Sequence, residues 1–241
     1  MPGTDNKTSR EALELAEQHE FIYACVGFHP HDAMKLTDGL LAEIETMSDH
    51  PKVVAIGEIG LDYHYDFSPR DRQIAVFREQ IWLAIRKNLP IVVHTRESLN
   101  DTFEVVEQCM LDQPHWRSGE GVALKAGNSG RGVFHCFTGT ANEAAHLFNR
   151  GFFVSYPGIV TFKNSPVTDT LRQIGCENIL LETDSPYMAP VPLRGKRNEP
   201  AHIAYIGKKI SEFLGISEAE IARVTSLNAR KLFSLGDHRH P

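Results

Sequence analysis

The chain has 241 residues, 41% of them hydrophobic and 23% charged, with a formal net charge of −6; this is an ordinary globular composition, and it excludes a general cationic field for holding nucleic acid. Four scattered cysteines (Cys25, Cys109, Cys136, Cys176), none in a C-x-x-C pair, exclude a zinc-finger framework and read as reduced thiols. No apolar run approaches the roughly 18 residues needed to span a membrane, and the first twenty residues lack the apolar core of a signal peptide, so the expected location is the cytoplasm.

Strand-like and helix-like segments then alternate along the chain. FIYACVG (21–27) predicts a first strand, and helical spacing follows from about 36 to 48. VVAIG (53–57) predicts a second strand. RQIAVFREQIWLAIRKN (72–88) is the clearest amphipathic helix, with Ile74, Phe77, Ile81, Ala84 and Ile85 at helical spacing. Leu89-Pro90 is expected to stop it before a third strand, IVVH (91–94), and a helix near 98–111. HWRSGEGVALKAGNSGRG (115–132) is rich in glycine and serine and predicts a surface loop. GVFHCF (132–137), FFVSY (152–156) and NILLETD (178–184) read as the fourth to sixth strands. A helix over 141–151 is closed by Gly151, and a helical tail over 200–235 breaks near Gly215 and restarts at the capping pattern SEAE from Ser217. Alternation of this kind implies parallel βαβ units, hence a doubly wound sheet or a (β/α) barrel. No GxGxxG turn or P-loop follows any strand, which argues against a nucleotide-binding open sheet.

The chemistry sits at the expected strand ends. The first strand runs into GFHPH with His29 and His31, the second into Glu58, the third into His94, the fourth into His135 and the sixth into Asp184. In a barrel all C-terminal strand tips face one side, so these residues would converge. Imidazole nitrogens and carboxylate oxygens are the donor set of a divalent metal such as zinc or manganese. Singly, each has a plainer reading: His94 as a surface histidine, Asp184 as a turn cap before Ser185-Pro186, and the His29–His31 pair as loop residues. Jointly they read as a metal site. RGKRNEP (194–200) offers Arg194, Lys196 and Arg197 either as a phosphate grip or as a solvated loop. Phe137 reads either as a base-stacking ring or as a core aromatic.

GFHPHDA, VVAIGEIGLDY, LPIVVHTR, FHCFTGT, VSYPGIVTFK, ETDSPYMAP and RGKRNEP occur in this order, and together they resemble the TatD family of metal-dependent deoxyribonucleases, among the amidohydrolase-like TIM-barrel hydrolases. The resemblance covers nearly the whole chain apart from residues 115–131 and the last few. It implies an α/β fold, a TIM-type (β/α) barrel forming a single domain over residues 1–241. It also implies a deoxyribonuclease that uses one or two divalent ions (magnesium, manganese or zinc) to hydrolyse DNA, single-stranded DNA being the expected substrate and exonuclease action the expected mode. By motif, Glu58 resembles the bridging carboxylate, His94 and His135 ligands of one ion, and Asp184 a ligand of the other and a candidate general base. His29, His31, Arg96, Arg194, Lys196 and Arg197 resemble substrate-side residues. No membrane association and no obligate protein partner are expected.

Many family members carry an H-x-H pair on a first strand, and nothing here matches it. The expectation is a chain lacking the family's first strand, first helix and most of its second strand, with six strands readable. Two competing functions stay open from sequence. One is another amidohydrolase-like activity, such as aminoacyl-tRNA deacylation; the other is an inactive remnant that keeps part of the site.

Overall fold

A computed structural model of the chain describes residues 1–65, 67–117 and 130–235. Most of the loop expected over 115–132 and the last six residues, 236–241, lie outside the described residues. The chain forms two compact units, residues 1–120 and 121–241.

The first unit contains α1 (Asn6–Gln18), β1 (Ala24–Val26), α2 (Asp38–Met47), β2 (Val53–Asp62), α3 (Arg70–Lys87), β3 (Ile91–Arg96) and α4 (Leu99–Asp112). β1, β2 and β3 pair in parallel in that order; β1 is buried throughout, as are Val53, Ala55, Ile56, Ile59 and Leu61 of β2 and Ile91 and Val93 of β3, as parallel strands covered on both faces require. Phe77, Ile81 and Ala84 of the expected α3 face are buried, while Ile74 and Ile85 are half-buried at its margins. α3 is stopped by Asn88 in the left-handed conformation (φ 52°, ψ 36°), one residue before Leu89-Pro90. α1 was not anticipated from hydrophobic spacing. It rests on small buried residues (Ser9, Ala12, Ala16) and on a reciprocal cap in which the Asp5 carboxylate accepts from the Thr8 N–H at 2.8 Å.

The second strand corrects the sequence expectation. Glu58 does not end it: β2 continues to Asp62, with Ile59, Gly60, Leu61 and Asp62 paired to Val93, His94, Thr95 and Arg96. The pairing register shifts between Ile56 and Ile59, so Glu58 sits at an irregularity inside the strand, a device that re-aims a side chain. The Glu58 N–H is instead taken by the Gly3 carbonyl at 2.9 Å. Residues 1–4 run beside β1, with a parallel bridge from Pro2 to Cys25, and the Thr4 carbonyl accepts from the His29 N–H at 2.9 Å.

The second unit contains β4 (Gly132–Phe134), α5 (Ala141–Phe148), β5 (Phe152–Tyr156), α6 (Thr168–Ile174), β6 (Ile179–Leu181), α7 (Ile203–Leu214) and α8 (Glu218–Phe233). β4, β5 and β6 pair in parallel in that order. Phe134, Phe152 and Phe153 are buried, each contributing about 1.5–3 kcal/mol of hydrophobic stabilisation, and Tyr156 is buried beside them. Gly215 ends α7 at φ 67°, and the Ser217 hydroxyl starts α8 by accepting from the Glu220 N–H. Buried Asn228 of α8 donates to the Ile179 carbonyl at 2.9 Å and fixes that helix against the start of β6. The expected strands at 132–137 and 178–184 are shorter than predicted, so His135 and Asp184 lie just past their strands rather than within them. The fold class is α/β with parallel strands, as the alternation predicts. Among the described residues no helix is long and apolar enough to cross a membrane.

Candidate metal centre

β2 and β3 bring Glu58 and His94 together: His94 Nδ1 lies 3.0 Å from Glu58 Oε1. His29, just past β1, adds its Nε2 at 3.3 Å from the same oxygen. One ligand atom from each of His29, Glu58 and His94 falls within 4.8 Å of the other two. One carboxylate and two imidazoles form a donor set suited to zinc or manganese.

His94 owes its aim to two neighbours. Its Nε2 lies 3.0 Å from Oδ2 of Asp62. A neutral His94 that donates there keeps the Nδ1 lone pair on the Glu58 side, where a cation would be held. Gly60, paired with His94 across the strands, has φ +145°, and a Cβ there would drive into the His94 carbonyl oxygen. Close approach of the two backbones therefore requires glycine at 60.

Asp62 is almost completely buried yet fully engaged. Its Oδ2 also accepts from His31 Nε2 at 3.0 Å, and its Oδ1 accepts from the His64 N–H at 2.9 Å. Its main chain is clamped by Gln73, which accepts from the Asp62 N–H at 2.8 Å and donates to the Asp62 carbonyl at 3.0 Å. Burial alone would raise this carboxyl's pKa; the hydrogen bonds from His94 and His31 outweigh it and hold the group well below the usual carboxylate range.

His29 is placed differently from His94. Its Nδ1 accepts from the His31 N–H at 3.3 Å, so a neutral ring carries its proton on Nε2 and donates it to Glu58. Burial favours that neutral form, lowering the pKa against the opposing pull of Glu58. In this tautomer Glu58 and His94 fit a cation best, and His29 is a hydrogen-bond donor bracing the carboxylate. Arg96, at the end of β3, is exposed.

In the second unit, His135 is half-buried with Nδ1 at 3.5 Å from Glu182 Oε2, and the other Glu182 oxygen accepts from the Cys136 N–H. Asp184 has φ +54°, and its carbonyl accepts from the Tyr187 N–H at 2.8 Å. That turn is stitched by buried Asn198, whose Nδ2 donates to the Thr183 and Tyr187 carbonyls at 2.6 Å each. Arg194, Lys196 and Arg197 are exposed, with the Arg194 guanidinium 3.7 Å above the Phe162 ring. Phe137 is buried, which makes it a core aromatic and removes it as a base-stacking surface.

Sequence reasoning missed Asp62, Glu182 and Asn198. Two of these were marked by spacing. Asp62 follows Glu58 by four residues in one strand, the even spacing of a shared strand face, and Glu182 stands two residues from Asp184 in the expected 178–184 segment. Asn198 carried no such signal, because a loop asparagine declares its partners only in three dimensions.

The chain matches the family model described as TatD related DNase over residues 1–234. It is 41% identical over 234 residues to an uncharacterized metal-dependent hydrolase, YabD of Bacillus subtilis, covering 97% of this chain and 86% of that protein. It is 34% identical over 246 residues to the 3'-5' ssDNA/RNA exonuclease TatD of Rahnella, covering 99% and 88% respectively. The crystal structure of YjjV, a TatD homolog from Escherichia coli K12, matches with a TM-score of 0.85 at 28% identity, covering 98% of this chain and 86% of that one. The fold class read from the sequence, α/β of the TIM-barrel type, agrees with this neighbour. The chain therefore belongs to the TatD related DNase family and is a metal-dependent hydrolase.

Proposed function

We propose that the chain is a divalent-metal-dependent nuclease that hydrolyses phosphodiester bonds of single-stranded DNA, acting as an exonuclease. One observation carries the reading: Glu58 and His94 meet on adjacent strands, with the Asp62 carboxylate 3.0 Å from the far nitrogen of His94. The name of the Rahnella relative supplies the substrate class. Glu58 and His94 would hold the ion, with His135 and Asp184 as further candidate ligands. The chemistry such an ion supplies when bound is Lewis acidity toward a phosphoryl oxygen and acidification of water. His29, its ring kept neutral by burial, would brace Glu58 through its Nε2–H on the substrate side. Asp184, held in place through its main chain, is the candidate base that takes the proton of the attacking water. His31, Arg96, Arg194, Lys196 and Arg197 are the candidate contacts to the strand, and the local charge they provide is what a chain of net charge −6 otherwise lacks.

The test is cleavage of end-labelled single-stranded DNA with added magnesium, manganese or zinc, with and without chelator. Cleavage is expected only with metal, and Glu58→Gln is expected to lose bound metal and about a thousandfold or more in rate. Cleavage that survives chelation, or that Glu58→Gln leaves at the wild-type rate, would overturn the proposal.

A further inference from the structure

Two aromatic side chains just past β2 stand open to solvent, Tyr65 at 39% and Phe67 at 63% relative exposure. Their rings are stacked, with centroids 5.2 Å apart and planes within 13°. His31 meets both rings edge-on, at 5.3 Å from Tyr65 and 4.9 Å from Phe67. The Arg96 guanidinium carbon sits 4.9 Å over the Tyr65 ring. Hydrogen bonds hold the chain at Tyr65 and at Ser68. The Tyr65 N–H donates to Asp62 Oδ1 at 3.3 Å, and the Ser68 hydroxyl donates to the His31 carbonyl at 2.9 Å and accepts from the Met34 N–H at 3.1 Å.

This platform is wired to the metal centre. His31 packs edge-on against His29 at 4.4 Å between centroids and shares Oδ2 of Asp62 with His94. The rings thus lie two ring contacts from a histidine that touches Glu58. Exposed aromatics held flat beside a guanidinium, next to a site that handles phosphodiesters, have the form of a nucleobase-stacking surface. Two rings beside the charged Arg96 are too small and too polar at the edge for a protein interface, which needs about 800 Å² per partner.

We infer that Tyr65 and Phe67, with Arg96 beside them, form a base-stacking subsite that seats a nucleobase of the strand being cleaved. This inference rests on the nuclease reading of the same site and names residues that fix its substrate. Stacking is tolerant of base identity, so the subsite requires a base without selecting one.

The test uses the full metal-loaded chain. Binding and cleavage are measured for fluorescent oligothymidylate and for a strand of equal length carrying abasic residues. Wild type is expected to bind the base-bearing strand at least about fivefold more tightly. Tyr65→Ala/Phe67→Ala is expected to abolish that preference while bound metal is retained, which checks the fold and the metal site. Phe67→Leu, which keeps apolar bulk without a π face, is expected to weaken the preference, and Phe67→Trp to preserve it. The subsite is overturned if wild type binds both strands equally or binds neither, or if the double variant keeps the wild-type preference. Base-dependent binding without cleavage would remove the nuclease reading and leave the subsite standing. Cleavage indifferent to bases would do the reverse.

Discussion

The two halves of this chain present ligand-type residues by different means. In residues 1–120 the donors are built on long paired strands: Glu58 and Asp62 share β2, His94 lies opposite on β3, and every contact among them is set by strand register. In residues 121–241 the strands β4 and β6 are only three residues long, and His135, Glu182 and Asp184 sit beyond their ends. There the geometry is held by loop hydrogen bonds and by left-handed residues, with positive φ at Cys136, Asp184 and Met188. Strand-borne donors share one rigid frame, whereas loop-borne donors depend on whichever neighbour stitches the loop. Damage should therefore spread further in the first half than in the second.

The largest expected effect on metal affinity outside the ligands themselves breaks that contrast at the carboxylates behind the histidines. Asp62→Asn replaces an acceptor that serves two imidazoles with an amide, and carboxylates orienting a metal-binding histidine are typically worth 10–100-fold in metal affinity. We expect a loss in that range for Asp62→Asn. For Glu182→Gln we expect less than about tenfold, because its distance to His135 Nδ1 is 3.5 Å against 3.0 Å for Asp62 and His94. Metal titration of both variants decides it, and a larger loss at Glu182 would reverse the comparison.

Glycines with positive φ sharpen the contrast at the level of the backbone. Gly60→Ala meets both a strained φ and the carbonyl of His94, so we expect a loss of about 3 kcal/mol or more, together with weaker metal binding. Gly195→Ala, at φ +80° in the basic loop, has no described atom within 4 Å of the new Cβ and should cost only about 1 kcal/mol, with metal binding unchanged. Denaturant unfolding followed beside metal titration separates the two. Equal costs would mean that the strand frame gives no more than the loop.

What the sequence made legible follows the same division. Apolar runs and helical spacing located all six described strands and most helices, because burial sets those periods directly. Short elements carried by small or polar residues escaped: α1 packs through Ser9, Ala12 and Ala16, and α6 is only seven residues long. Glu58 and His94 were foreseen as partners, since strand order and strand ends are readable. Placing Glu58 at a strand terminus failed because the pairing of Gly60 with His94 carries β2 four residues further. Whether His29 binds a cation or donates a hydrogen bond was not readable, because the answer lies in the His31 N–H that fixes its tautomer.

The smallest expected effect concerns two helix starts, one in each half, that differ in whether the cap carries a charge. Asp5 caps α1 with a carboxylate, and Ser217 caps α8 with a hydroxyl. Each replacement by alanine should cost about 1 kcal/mol at neutral pH. Burial tends to raise the Asp5 pKa, but hydrogen bonds from Thr8 and the charges of Lys35 and Lys7 outweigh it, so the folded value lies below the ordinary one. A lowered folded pKa means the cap contributes fully above the unfolded carboxylate value near 3.9 and loses its contribution as pH falls through the folded value. The stability gap between wild type and Asp5→Ala should therefore shrink below about pH 4. The gap for Ser217→Ala, whose hydroxyl does not titrate, should persist over the same range. Urea midpoints measured from pH 7 down to about pH 3 test this; a gap at Asp5 that held constant across that range would show that the carboxylate's charge contributes nothing to the cap.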